Sequence, residues 1–145
     1  MNSFSKATSI VLIIFFVVFI GIAGKVVAQK VTAAPNTPPI HDALRLAAKA
    51  VNDTAPQQID KNTTLMNAVV LEKTLRYRYT LLNVLSRDFE KGSLSKLNAE
   101  RMKNNVCTTE GMKILVRLRA VLEFAYYDKN GVELEIVSID TARCG

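Results

Sequence analysis

The sequence predicts an α+β fold in which helices pack on one face of a four-stranded antiparallel sheet, in the order α-β-β-α-α-β-β, with one disulfide. Three observations predict it. Residues 74–82 alternate Leu75, Tyr77, Tyr79 and Leu81 with Thr74, Arg76, Arg78 and Thr80, the period of a half-buried strand. Two β-rich runs, 120–127 and 132–139, flank Asp128-Lys129-Asn130-Gly131, whose Asn-Gly supplies the positive φ of a tight hairpin. Ile40, Leu44, Ala47, Ala48 and Val51 recur at helical spacing.

In chain order, residues 1–28 come first. Lys6 and the amino terminus precede an apolar run from Ile10 to Gly24, the pattern of an export segment. Small residues at Val26-Val27-Ala28 favour cleavage of a signal peptide, whereas Lys25 and the length of residues 7–28 suit a retained membrane anchor. In both readings the remainder lies outside the cytoplasm, and no Cys stands near Ala28 to accept a lipid. Residues 29–39 hold Pro35, Pro38 and Pro39 and read as a linker, which leaves 40–145 as one α+β periplasmic domain.

Helix one starts with Thr37 as cap and Pro38 in the first turn, and Pro56 bars its continuation past about Asp53. Residues 65–70 form a strand, joined to 74–82 by a turn at 71–73. Helix two opens at Gly92-Ser93, with Ser93 as candidate cap and Leu94, Leu97, Arg101 and Met102 in a weakly amphipathic pattern whose apolar members face the core, and a short helix over 109–117 carries Met112, Leu115 and Val116 inward. In the last hairpin, Leu122, Phe124 and Tyr126 match Val132, Leu134 and Ile136 on the core face. Glu123, Glu133 and Glu135 then fall on the other face, opposite Arg76 and Arg78.

The composition narrows the function. At 49% hydrophobic residues the chain has the means to build a core, which excludes a disordered chain. Discounting Lys6 and Lys25 lowers the net charge from +6 to about +4, and the basic residues are scattered, which argues against a nucleic-acid partner. Cys107 and Cys144, an even pair in an exported chain, are expected to form a structural disulfide across a loop of about 36 residues, a staple of roughly 3–4 kcal/mol. His41 is the only histidine and lies in a first helical turn, so no catalytic triad or metal cluster is built around it. No cofactor is expected. Glu123, Glu133 and Glu135 are the one carboxylate set that a hydrolase reading would use. Tyr126 and Tyr127 point to opposite faces, and with Arg76 and Arg78 they are the candidate partner-binding residues. Asn52-Asp53-Thr54 and Asn62-Thr63-Thr64 match the N-glycosylation pattern.

One set of residues resembles a group of small exported bacterial proteins: Asp60, Thr63 with Leu65, Tyr77 and Tyr79, Cys107, Tyr126 with Asp128 and Gly131, and Cys144. Within that group the chain looks similar to alternative pilotins of type II secretion systems. The resemblance implies a binding domain that takes a short segment of an outer-membrane secretin and helps it reach its membrane. The chain departs from that pattern in having no lipid-accepting Cys. The expectation is a non-enzymatic, periplasmic or membrane-tethered binding domain, an accessory or assembly factor of an envelope complex with a protein partner. The second reading is a periplasmic inhibitor or immunity protein against a toxin or hydrolase.

Overall fold

A computed structural model of the chain describes residues 39–145. The expected export segment, the linker up to Pro38 and the Thr37 cap lie outside the described residues. Helix α1 (Ile40–Asn52) starts on the carbonyl of Pro39, which accepts from the amides of Asp42 and Ala43 at 3.0 and 3.1 Å. It buries Ala43, Leu44, Ala47, Ala48 and Val51, the small and branched residues of a single stripe, against the sheet.

The sheet has five strands in the spatial order β1-β2-β3-β4-β5: β1 (Gln57–Asp60), β2 (Thr63–Leu71), β3 (Thr74–Leu81), β4 (Val121–Asp128) and β5 (Glu133–Asp140). Two corrections to the expected sheet follow. Strand β1 is four polar or half-buried residues, too short to show a period, and it pairs with the start of β2. The two hairpins join through β3 and β4 in parallel, not antiparallel, with Leu75 beside Leu122 and Tyr79 beside Tyr126. A parallel join needs a long crossover. Residues 82–120 provide it, carrying helix α2 (Ser93–Thr108) and the short helix α3 (Lys113–Arg117).

Among the described residues, helices α1, α2 and α3 pack on the face of the sheet where the core lies. Along β3 the predicted alternation holds: Leu75, Tyr77, Tyr79 and Leu81 are buried. Parallel register then stacks Tyr77 on Phe124 and Tyr79 on Tyr126, with ring centroids 5.5 and 5.3 Å apart. Burial pushes the phenols of Tyr77, Tyr79 and Tyr126 well above the ordinary tyrosine range.

Besides a register shift in the short β1, two bulges break the simple period of the longer strands. In β2 the pairing shifts between Leu65 and Asn67, so Leu65 and Ala68 are both buried while Met66 is exposed. In β5 it shifts beside Tyr126 and Tyr127, where Tyr126 pairs with Glu135 and Tyr127 with Glu133. The buried residues of β5 are therefore Leu134, Val137 and Ile139, and Val132, expected inside, is 49% exposed. Ile136 pairs with Ala125 and stands on the open face. The bulge inverts the expected faces because each extra residue reverses the parity of the strand beyond it.

The turn between β4 and β5 is wider than a two-residue Asn-Gly hairpin. The Gly131 amide donates to the Asp128 carbonyl at 3.0 Å and the Asp128 amide to the Val132 carbonyl at 2.8 Å. Only Gly131, at φ +81°, takes the left-handed conformation there, as in a three-residue loop closed by a glycine.

In α2 only Leu94, Met102 and Val106 are buried, and Leu97, expected inward, is 63% exposed. Met112 and Leu115 are buried as expected. Val116 is half-buried, and Ile114 and Leu118 pack against the core beside them. The disulfide joins Cys107, in the last turn of α2, to Cys144 after β5, with Cα atoms 5.3 Å apart.

Candidate functional site

The face of the sheet on which none of the described helices packs is built from the residues that alternate with the core. Register sets Arg76 beside Glu123, and the guanidinium donates from Nε to Glu123 Oε2 at 2.6 Å, with both side chains largely covered. Arg78 pairs with Ala125 and is exposed, its guanidinium 4.7 Å from the centroid of the Tyr127 ring. Such a cation–π contact is worth about 0.5–1 kcal/mol at a surface and holds the guanidinium plane in place. The Tyr127 hydroxyl in turn donates to Glu133 at 3.4 Å. Arg78, Tyr127 and Glu133 therefore form a short polar row, flanked by the half-buried Ile136. The row presents guanidinium donors and a carboxylate beside apolar surface, which suits recognition of a peptide or protein surface.

Of the four candidate partner-binding residues, the structure brings Arg76, Arg78 and Tyr127 together on this face. Tyr126 is corrected: it is 3% exposed and stacked in the core, out of reach of a partner. The carboxylate set of the hydrolase reading does not assemble. Glu123 is engaged by Arg76, Glu133 is exposed beside Tyr127, and Glu135 has crossed to the helix side of the sheet. Among the described residues no three His, Cys, Asp or Glu gather as metal ligands, and no helix is long and apolar enough to cross a membrane.

Three polar residues that sequence reasoning did not single out for these roles shape the frame of the site. Glu135 caps α2 from another element. Its carboxylate accepts from the amides of Gly92, Leu94 and Ser95 at 3.2, 3.1 and 3.0 Å and from the Ser95 hydroxyl. Ser93, the expected cap, opens the helix without capping it, and Gly92 at φ +85° makes the entry. Asp128 is buried and accepts from the amides of Asn130, Val132 and Ser86 at 2.8, 2.9 and 3.1 Å. These bonds, the one from Val132 foremost, hold its carboxyl below the usual aspartate range. Asn52, at the end of α1, donates to the Ala68 carbonyl at 2.9 Å and accepts from the Ala68 amide at 2.8 Å, imitating a neighbouring strand. The spacing Asp128-x-x-Gly131 signalled a turn; nothing local marks Glu135 or Asn52, whose partners lie far off in sequence.

The residues of the exported-protein pattern are thus fold determinants. Asp60 accepts from the Asn62 amide at 2.7 Å in the β1–β2 turn, Thr63 and Leu65 are buried, and Asp128 and Gly131 shape the last hairpin.

No protein-family model matches the chain, and no curated protein matches it. Solved structures do. A crystal structure of a Pseudomonas aeruginosa protein considered to be secreted superposes with a TM-score of 0.63 at 16% identity, over 73% of this chain and 93% of that one. The type II secretion system pilotin AspS from Vibrio cholerae does so at 0.52 and 6% identity, over 70% of this chain and 89% of its own. The type 2 secretion system pilotin EpsS from Vibrio vulnificus scores 0.51 at 8% identity, over 73% and 88%. At these identities the likeness is one of fold, and that fold is the one the pilotins share.

Proposed function

We propose that this chain is a non-enzymatic binding domain of the bacterial cell envelope, an accessory factor of a secretion complex that works in the manner of a pilotin. The observation that supports the reading is the fold shared with two type II secretion pilotins over most of their length. The partner is a protein of the envelope, a short secretin segment in the first instance, and the docking surface is the open sheet face with Arg78 and Tyr127 at its centre. Residues 1–28 export the domain, and either their removal frees it into the periplasm or their retention tethers it.

Titration of the purified domain with the C-terminal segment of a secretin from the same genome tests this. Saturable binding that weakens at least about tenfold in Arg78→Ala/Tyr127→Ala is expected, a loss typical of two central contacts. Absence of binding under conditions where a pilotin control binds its own secretin overturns the secretin assignment. Binding that ignores the double substitution moves the docking surface elsewhere.

A further inference from the structure

Helix α2 differs from α1 in how it is held. Of 16 residues it buries three, Leu94, Met102 and Val106, whereas α1 buries five of 13. Its outward Leu97 adds nothing to the packing. The segment that leads into it, residues 82–92, contains only one short helical turn at Ser86–Asp88. What compensates is a clamp at each end, both attached to β5 or the residues just after it: the Glu135 carboxylate on the first turn and the Cys107–Cys144 disulfide on the last. Both cysteines are half-buried.

We propose that α2 is a latch over the core face of β5, opening as a unit separate from the sheet, and that the Cys107–Cys144 disulfide is its thiol-operated release. A dithiol reductant breaks the S–S bond, delivering two electrons and two protons. Cys107 and Cys144 become two thiols, and the dithiol closes to its own disulfide. With its last turn untied, α2 is left with three buried side chains and one clamp. The stacked pairs Tyr77–Phe124 and Tyr79–Tyr126 tie β3 to β4 directly. Elements with few buried contacts open first.

Native-state hydrogen exchange on the full purified chain reads this directly. On adding dithiothreitol, amides of residues 97–108 lose about tenfold or more protection beyond the common loss that the lowered global stability imposes on β3 and β4. The Cys107→Ser/Cys144→Ser variant reproduces the pattern without reductant. In the oxidised chain, Glu135→Gln accelerates the first turn of α2 more than its last turn, because the disulfide still pins the other end. Unchanged exchange in α2 after reduction overturns the proposal. So does acceleration of sheet and helix by the same factor, which means that α2 opens only with the whole domain.

Discussion

Glu135 offers the sharpest test of the architecture, because a strand residue is made responsible for a helix terminus far from it in sequence. Its Oε2 accepts from the amides of Gly92 and Leu94, and its Oε1 from the amide and hydroxyl of Ser95. Glu135→Gln keeps one oxygen and two of these bonds. The other two donors then face an amide NH2, itself a donor, and the negative charge at the helix N-terminus is lost. A charge-assisted bond contributes about 1.5–3 kcal/mol, and water at this half-buried end recovers part of the loss. The expected cost is about 2–3 kcal/mol, at the upper end of what helix caps contribute. For a domain near 100 residues that lowers the melting temperature by roughly 8–15 °C. Urea unfolding followed by far-UV circular dichroism measures it, with Glu133→Gln as the exposed control, expected to stay within about 0.5 kcal/mol. If the two variants unfold alike, or Glu135→Gln lies within about 0.5 kcal/mol of the parent, the capping argument is refuted.

Other predictions concern the last hairpin and the open face. Asp128 has a carboxyl pKa lowered by folding, so its contribution is present above the unfolded-state value and fades as pH falls through the folded one. Melting temperatures recorded from neutral pH down into the acid range should fall less steeply for Asp128→Asn than for the parent, and parallel curves would contradict the assignment. The bulge predicts that Val137→Ala costs about 2 kcal/mol while Val132→Ala costs less than about 0.5, by chemical denaturation. The reverse order would restore the unbulged register. A double-mutant cycle on Arg76 and Glu123 should return a coupling of about 1 kcal/mol that weakens with salt, and no coupling would remove the pair as a register device for the parallel join.

Much of the local structure was legible because it rests on period and on turn chemistry. The alternation of Leu75, Tyr77, Tyr79 and Leu81 put four side chains in the core, the helical stripe through Leu44, Ala47 and Val51 located α1, and Asp128 with Gly131 marked the last turn. The even cysteine pair announced the staple that the structure contains. The candidate face was legible in part. Arg76, Arg78 and Tyr127 were picked out; Tyr126 lies on the core face where its alternation put it, out of a partner's reach, and Glu135 was assigned to a face it does not occupy.

The sequence by itself determined α1, the strands other than β1 and which side of β3 and β4 is apolar, since those follow from side chains a few positions apart. Only the tertiary structure decided that the hairpins join in parallel, that bulges at Met66 and Leu134 reverse the faces beyond them, and that Glu135 and Asn52 complete hydrogen bonds on distant elements. A bulge changes strand parity at the cost of one residue, with no change in composition. A cross-element hydrogen bond satisfies a backbone group that only the assembled fold leaves in need of a partner.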